Sequence, residues 1–256
     1  MACPARVVAT AAGSVQDLSR NDGPAPLVLL AHGRDGGMIP PELQQLAAEL
    51  GDRRRAPVLV QVLTAAAPDP DPDFWQAAQR AGAVVLVPLL LLPGGHVRRD
   101  LPEIAAAWRQ RPEMIGLRLR RLPFLGAWPR WQSLLAAELR RASARGGAEV
   151  VWLHHPLEGP LASRFLSYQT IVFGCRGLAA PYTAEADRIS SDLPSPAVLV
   201  PLTLAANRLT DRLLASPAVF ATAGAAPASG CFALVPPLLD LAALRQFLLS
   251  ALEVLP

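Results

Sequence analysis

Short, uninterrupted apolar runs recur along this chain and constrain its fold more than any other feature. LVLLA at Leu27 to Ala31 and VVLVPLLLL at Val84 to Leu92 are the clearest of them, and stretches with helical periodicity follow each. Strands that are buried on both faces of a parallel sheet have this continuous pattern, whereas half-exposed strands alternate apolar and polar residues. The sequence therefore predicts an α/β fold in which helices cover both faces of a parallel sheet.

The alternation of apolar runs and amphipathic stretches predicts a set of consecutive elements in the first half of the chain. Residues 1–26 have no sustained period and are expected to be a flexible leader. The predicted strands are Leu27 to Ala31, Val58 to Leu63, Val84 to Leu89 and about Ile115 to Leu122, and the predicted helices are Pro40 to Leu50, Asp73 to Ala81, about Val97 to Arg109 and Trp128 to Ala144.

The second half of the chain repeats the first in a degenerate form. AVVLVPLLLLPGGHVRRDL from Ala83 is matched by PAVLVPLTLAANRLTDRLL from Pro196, and LVLLAHG is matched by EVVWLHH. The glycine pair and the histidine of the first copy have become Asn207 and Arg208, or have been partly deleted. The repeat predicts two similar doubly wound lobes, residues 27–145 and 146–256, facing a central cleft, with the functional site in the first.

Composition excludes several classes of function. All 24 basic residues are Arg, and the chain has no Lys. A P-loop nucleotide-binding protein and a pyridoxal phosphate enzyme are therefore disfavoured, because each needs a lysine. The net charge of +3 is spread along the chain, which argues against nucleic-acid binding. Because the apolar runs are too short to span a bilayer and no secretory signal is evident, we expect a cytoplasmic protein without membrane contact. We expect it to be a monomer or a homodimer.

Two of the four histidines stand at the ends of predicted strands. His32 follows the Leu27 run, and His96 follows the Val84 run after the Gly94–Gly95 pair. If these strands are neighbours in a doubly wound sheet, both imidazoles flank the crevice where such sheets bind ligands. Two neutral imidazoles bind iron, cobalt or nickel and leave most of the coordination sphere open. The alternative is that each histidine is a structural residue that only forms hydrogen bonds at the end of its strand.

These segments resemble the class II tetrapyrrole chelatases, most closely the sirohydrochlorin cobalt- and ferrochelatase family. The resemblance rests on the strand, His and Gly at Leu29 to Gly33, and on VPLLLLPGGHVRRDLPEI from Val87 to Ile104. It implies a chelatase-like fold of two Rossmann-like lobes and ATP-independent insertion of Fe2+ or Co2+, with Ni2+ as a further candidate, into sirohydrochlorin. The implied catalytic and metal-binding residues are His32 and His96, the pathway is that of siroheme or cobalamin, and no tightly bound cofactor is expected.

The implied substrate is a polycarboxylate, and arginines lie beside both histidines. Arg34, Arg98 and Arg99 are expected to bind its carboxylates, since a guanidinium forms paired hydrogen bonds with them. Gly94 and Gly95 are expected to let the backbone approach the macrocycle. For Arg98 and Arg99 a solvated helix face is the competing interpretation.

One departure from the family leaves the activity open. Many members have a Glu at the end of the second strand, where this chain has Thr64, and a hydroxyl cannot replace a carboxylate base. A non-catalytic tetrapyrrole or metal carrier derived from a chelatase is therefore the alternative function. A nucleotide-binding Rossmann protein is disfavoured, because AHGRDGG is not a GxGxxG motif. His154 and His155 are interpreted as cleft-edge or structural residues, and contact with the metal or the tetrapyrrole is the less favoured alternative.

Overall fold

The first sheet consists of parallel strands that follow the predicted apolar runs. A computed structural model describes residues 23–63, 65–146, 148–180, 197–215, 219–221 and 232–256, so Thr64 and residues 1–22 of the predicted leader lie outside the described residues. The four strands have the order β2-β1-β3-β4 and are β1 (Leu27–Ala31), β2 (Val58–Val62), β3 (Ala83–Pro88) and β4 (Arg118–Arg121). The predicted adjacency of the first and third strands is confirmed by the parallel pairing of β1 with β3.

Helices connect these strands, and capping residues set where the helices begin and end. They are α1 (Pro41–Arg54), α2 (Pro72–Ala81), α3 (Leu101–Arg109) and α4 (Pro129–Gly146). In α2 the Asp71 side chain accepts a hydrogen bond from Phe74 N at 2.8 Å, and Gly82 ends the helix in the left-handed region at φ 65°. The last strand begins later than the predicted Ile115, because Gly116 has a φ of +81°, which a β-strand does not accommodate.

The C-terminal half forms a second parallel sheet. Five strands have the order β6-β5-β7-β9-β8, and α5 (Pro160–Phe173), α6 (Arg208–Ala215) and α7 (Ala242–Glu253) accompany them. The strands are β5 (Glu149–His154), β6 (Arg176–Ala179), β7 (Ala197–Pro201), β8 (Val219–Ala221) and β9 (Phe232–Leu234). In the ranges that the structure describes, no helix is long and apolar enough to cross a membrane.

The two lobes share one hydrophobic core. A single cluster of buried residues contains Leu27 and Val85 from the first sheet, Trp152 from the second, and Trp131 of α4 between them. The rings of Trp131 and Phe247 have centroids 6.3 Å apart, which joins α4 to α7. Because the cluster is continuous, the second lobe stabilises the first, and the cleft between them lies against a packed interior.

Arg54 links the two lobes through buried hydrogen bonds. Its guanidinium lies in the interior and donates to the carbonyl oxygens of Leu252 at 2.7 Å and Leu255 at 2.8 Å, at the end of α7, and to that of Ala25 at 2.7 Å, before β1. Burial lowers the pKa of Arg54. Carbonyls at a helix C-terminus lack partners within the helix and carry partial negative charge, so a cation satisfies them well.

We expect Arg54→Ala to lower the free energy of unfolding by about 3 kcal/mol, because it leaves several buried carbonyl oxygens without a donor. Urea denaturation followed by circular dichroism measures the change. Arg80→Ala, which removes an exposed guanidinium from α2, serves as the control and should change the stability by less than about 0.5 kcal/mol. Equal effects of the two substitutions would contradict the role assigned to Arg54.

Candidate functional site

The carboxyl edge of the first sheet brings the two predicted histidines together. His32 directly follows β1, and the chain leaving β3 reaches His96 through Leu89–Leu92 and the glycine pair. The centroids of the two imidazole rings are 4.8 Å apart, and the ring planes are inclined at 79°. The rings are thus neighbours although 64 sequence positions separate them, as parallel pairing of β1 with β3 requires.

A π-helical turn from His96 to Asp100 sets the orientation of the second ring. The Leu101 amide donates to the His96 carbonyl, and the turn continues directly into α3. Such turns are rare and occur frequently at functional sites. This wide turn brings the Asp100 carboxylate back against the imidazole, with 2.5 Å between Asp100 Oδ2 and His96 Nδ1.

The hydrogen bonds of both rings place their lone pairs on Nε2. His32 Nδ1 lies 3.2 Å from the Gly33 carbonyl oxygen, which can only accept, so Nδ1 carries the proton. His96 Nδ1 donates in the same way to Asp100. A histidine that donates one ring nitrogen to a carboxylate while the other binds an ion is the usual arrangement at metal sites. Both rings therefore have the tautomer that a metal ligand needs.

The pair opens into a cleft between the lobes with a cavity volume of about 120 Å³. This volume is smaller than the roughly 300–1,000 Å³ of ordinary small-molecule sites. The first lobe contributes His32, His96, Gly94 and the buried segment Leu89–Leu92, and the second contributes His155 and the segment from Leu202 to Asn207. Among the described residues that line this cleft there is no Asp or Glu, so its ionisable groups are imidazoles.

His155 is the site residue whose importance the sequence did not reveal. His154 is buried and its Nδ1 donates to the His155 carbonyl oxygen at 2.7 Å, which makes it structural, whereas the His155 ring lines the cleft. Burial and the nearby His154, His32 and His96 lower the pKa of His155 to about 4. It is therefore neutral near pH 7. The alignment of EVVWLHH with LVLLAHG puts His154 opposite His32 and His155 opposite Gly33, so the repeat points to this segment without identifying the histidine that lines the cleft.

The arginines predicted to bind substrate lie around the cleft without lining it. Arg34 donates to Asp211 of α6 at 2.6 Å and to the Ala206 carbonyl oxygen at 3.3 Å, so it joins the two lobes at the rim. Arg98 and Arg99 are exposed on the π-helical turn, and the Arg99 guanidinium covers the second of the two glycines. Of the predicted backbone positions, Gly94 lines the cleft and Gly95 does not.

The structure contains two adjacent imidazoles without further ligands that would enclose an ion. Within the described ranges, no group of three or more His, Cys, Asp and Glu is arranged to hold a metal. Structural zinc sites have four protein ligands, and sites that exchange ligands keep positions open. An ion held by these two imidazoles alone would keep most of its coordination positions open.

Two parallel-sheet lobes with strand-end histidines on a shared cleft define a chelatase-like α/β protein, and comparisons with known proteins agree. Residues 26–142 match the CbiX family model. The matched segment is most of the N-terminal lobe and contains both strand-end histidines, which supports a relationship with the class II chelatases. No curated protein sequence gives a significant match.

Two solved structures share the fold over most of their length. One is CbiX, described as the terminal enzyme for biosynthesis of siroheme in denitrifying bacteria, with 22% identity and a TM-score of 0.56, covering 89% of this chain and 98% of that one. The other is SirB from Bacillus subtilis with Fe3+, with 16% identity and a TM-score of 0.58, covering 89% of this chain and 93% of that one. The likeness therefore extends beyond the N-terminal lobe to both halves of the chain.

Gly126 packs directly beneath Leu91, which lines the cleft, and a larger residue at position 126 should displace that segment. A Cβ at this position would lie 1.8 Å from the carbonyl oxygen of Leu91, a lining residue, while the Gly126 amide donates to Leu90 at 2.9 Å. We expect Gly126→Ala to cost about 1–3 kcal/mol of stability through overpacking, measured by urea denaturation.

Gly51→Ala is the matched control, because its added Cβ would meet nothing closer than 3.7 Å and the residue lies within α1. It should be neutral or stabilise the protein by up to about 1 kcal/mol. A Gly126→Ala protein as stable as the Gly51→Ala protein would contradict the tight contact beneath the cleft.

Proposed function

We propose that this protein is a sirohydrochlorin chelatase, which inserts Fe2+ or Co2+ into sirohydrochlorin without ATP and serves the synthesis of siroheme or cobalamin. The observation that carries the proposal is the His32–His96 pair, with ring centroids 4.8 Å apart at the edge of an interlobe cleft. The match of residues 26–142 to the CbiX family model supports the reaction class. The metal ion is a substrate here, and Ni2+ is a third ion to test.

The two Nε2 lone pairs would bind the incoming ion while its other coordination positions stay open. The pyrrole nitrogens of the macrocycle then replace water and, finally, the imidazoles. Two pyrrole N–H bonds break, their electron pairs form metal–nitrogen bonds, and two protons leave. Since the described lining of the cleft has no carboxylate, imidazoles or water must accept these protons. A histidine released by the metal can serve, because a neutral imidazole is a common general base.

Arginines around the cleft would bind the substrate's carboxylates. Arg98 and Arg99 are exposed beside His96, where two guanidinium groups can each hold a carboxylate with paired hydrogen bonds. Arg34 would have to exchange Asp211 for a substrate carboxylate, which is feasible because this ion pair is partly exposed and pairs of this kind contribute only about 0–1 kcal/mol. Gly94 lines the same cleft, and the space left by its missing side chain is occupied by Leu157 and His155 of the second lobe.

The decisive experiment follows the visible spectrum of sirohydrochlorin during anaerobic incubation with the protein and each metal. We expect metallation well above the uncatalysed rate, and loss of that excess in His32→Ala and His96→Ala. A wild-type rate equal to the background would refute the enzyme. Stoichiometric binding of tetrapyrrole or metal without turnover would instead establish the carrier that Thr64 suggested.

Asp100→Asn should weaken the metal site while preserving its shape. The Asp100 carboxylate orients the His96 ring and makes it a more basic ligand. Without this carboxylate, Co2+ affinity and turnover should fall about 10- to 100-fold. Cobalt titration followed by absorbance measures the affinity. Glu103→Gln, which neutralises an exposed carboxylate on α3, is the control and should leave both quantities within about twofold. Equal losses of Co2+ affinity in the two variants would show that the effect comes from the lost negative charge and not from the hydrogen bond between Asp100 and His96.

A further inference from the structure

The second lobe presents a histidine to the cleft from the position that His32 occupies in the first. In the first sheet Leu30 pairs with Pro88, and in the second Leu153 pairs with Pro201. His155 comes two residues after Leu153, as His32 comes two residues after Leu30. The sheet registers therefore make the two histidines structural equivalents, and both rings line the same cleft.

The loop that carries His155 packs against the turn that leads to His96. A Cβ placed on Gly94 would lie 3.6 Å from His155 Nε2 and 3.1 Å from Leu157 Cδ2. The imidazole therefore packs against the backbone of the glycine turn, two residues before His96, and lines the same cleft as His32 and His96.

A second group on the same wall also points to a ligand. Thr203 lines the cleft, is 8% exposed, and its hydroxyl has no hydrogen-bond partner among the described residues. A buried hydroxyl without a partner costs about 1–3 kcal/mol unless something in the cleft satisfies it. This wall of the second lobe therefore contributes an imidazole and a buried threonine to the lining of the cleft.

We propose that His155 contacts the bound macrocycle from the second lobe, so that this lobe also takes part in binding the substrate. The inference rests on the proposed function and adds a residue to it. Since no group of three ligands is arranged around an ion in the described residues, the contact is with the tetrapyrrole and not with the metal. A neutral imidazole can donate one hydrogen bond and accept another, which suits contact with the polar groups of a tetrapyrrole.

The test measures binding of metal-free sirohydrochlorin by fluorescence, under anaerobic conditions, beside Co2+ titration of the same proteins. His155→Ala should raise the Kd for sirohydrochlorin about tenfold, the effect of losing one good hydrogen bond, and leave the Co2+ affinity within about twofold. His155→Gln keeps a polar group of similar size, should recover part of the affinity, and provides the test if the alanine variant does not fold.

Leu157→Ala is the matched control, because it removes the other side chain that packs on Gly94 without removing an imidazole. It should raise the Kd less than His155→Ala does. Unchanged sirohydrochlorin binding in both His155 variants of an active protein, or an equal loss of Co2+ affinity, overturns the inference alone. A wild type that neither binds nor metallates sirohydrochlorin overturns the proposed function, and the inference with it.

Discussion

The parallel pairing of β1 with β3 is the interaction on which the site depends. It places Leu30 opposite Pro88, and the carboxyl ends of both strands therefore reach the same edge of the sheet. The loops that leave this edge carry His32 and His96, whose rings lie side by side. A shift of register by one residue would turn each strand over and direct its apolar side chains to the other face. The burial of both faces thus also maintains the geometry of the imidazole pair.

The second lobe matters to this site through packing and through its own side chains. Its sheet shares a hydrophobic cluster with the first sheet, and Arg54 connects the end of α7 to the start of β1. The exposed Arg34–Asp211 pair also spans the lobes, but such pairs contribute little compared with buried apolar surface. The core therefore holds the walls of the cleft in place, while the rim can exchange its ionic partners when a charged ligand arrives.

Much of the fold could be predicted because each apolar run has few alternatives. The predicted strand Leu27–Ala31 matches β1 residue for residue, and the other strands of the first lobe differ only at their ends. β4 starts later than predicted because Gly116 has a positive φ. The hydrophobic periodicity of the sequence does not reveal this backbone conformation. The π-helical turn at His96 was not predicted either, since its hydrogen bonds depend on how the glycine turn meets α3. Local conformation of this kind is decided by neighbours outside the segment.

By itself, the sequence determined the alternation of buried strands and helices, the repeat, and the two histidines at strand ends, because these depend on local periodicity and on motifs a few residues long. Only the tertiary structure decided that Asp100 orients His96, that Arg34 pairs with Asp211, and that His155 shares the cleft. The last two join residues more than a hundred positions apart. Contacts of that kind depend on how two sheets pack through one core, and no local pattern of residues encodes that packing.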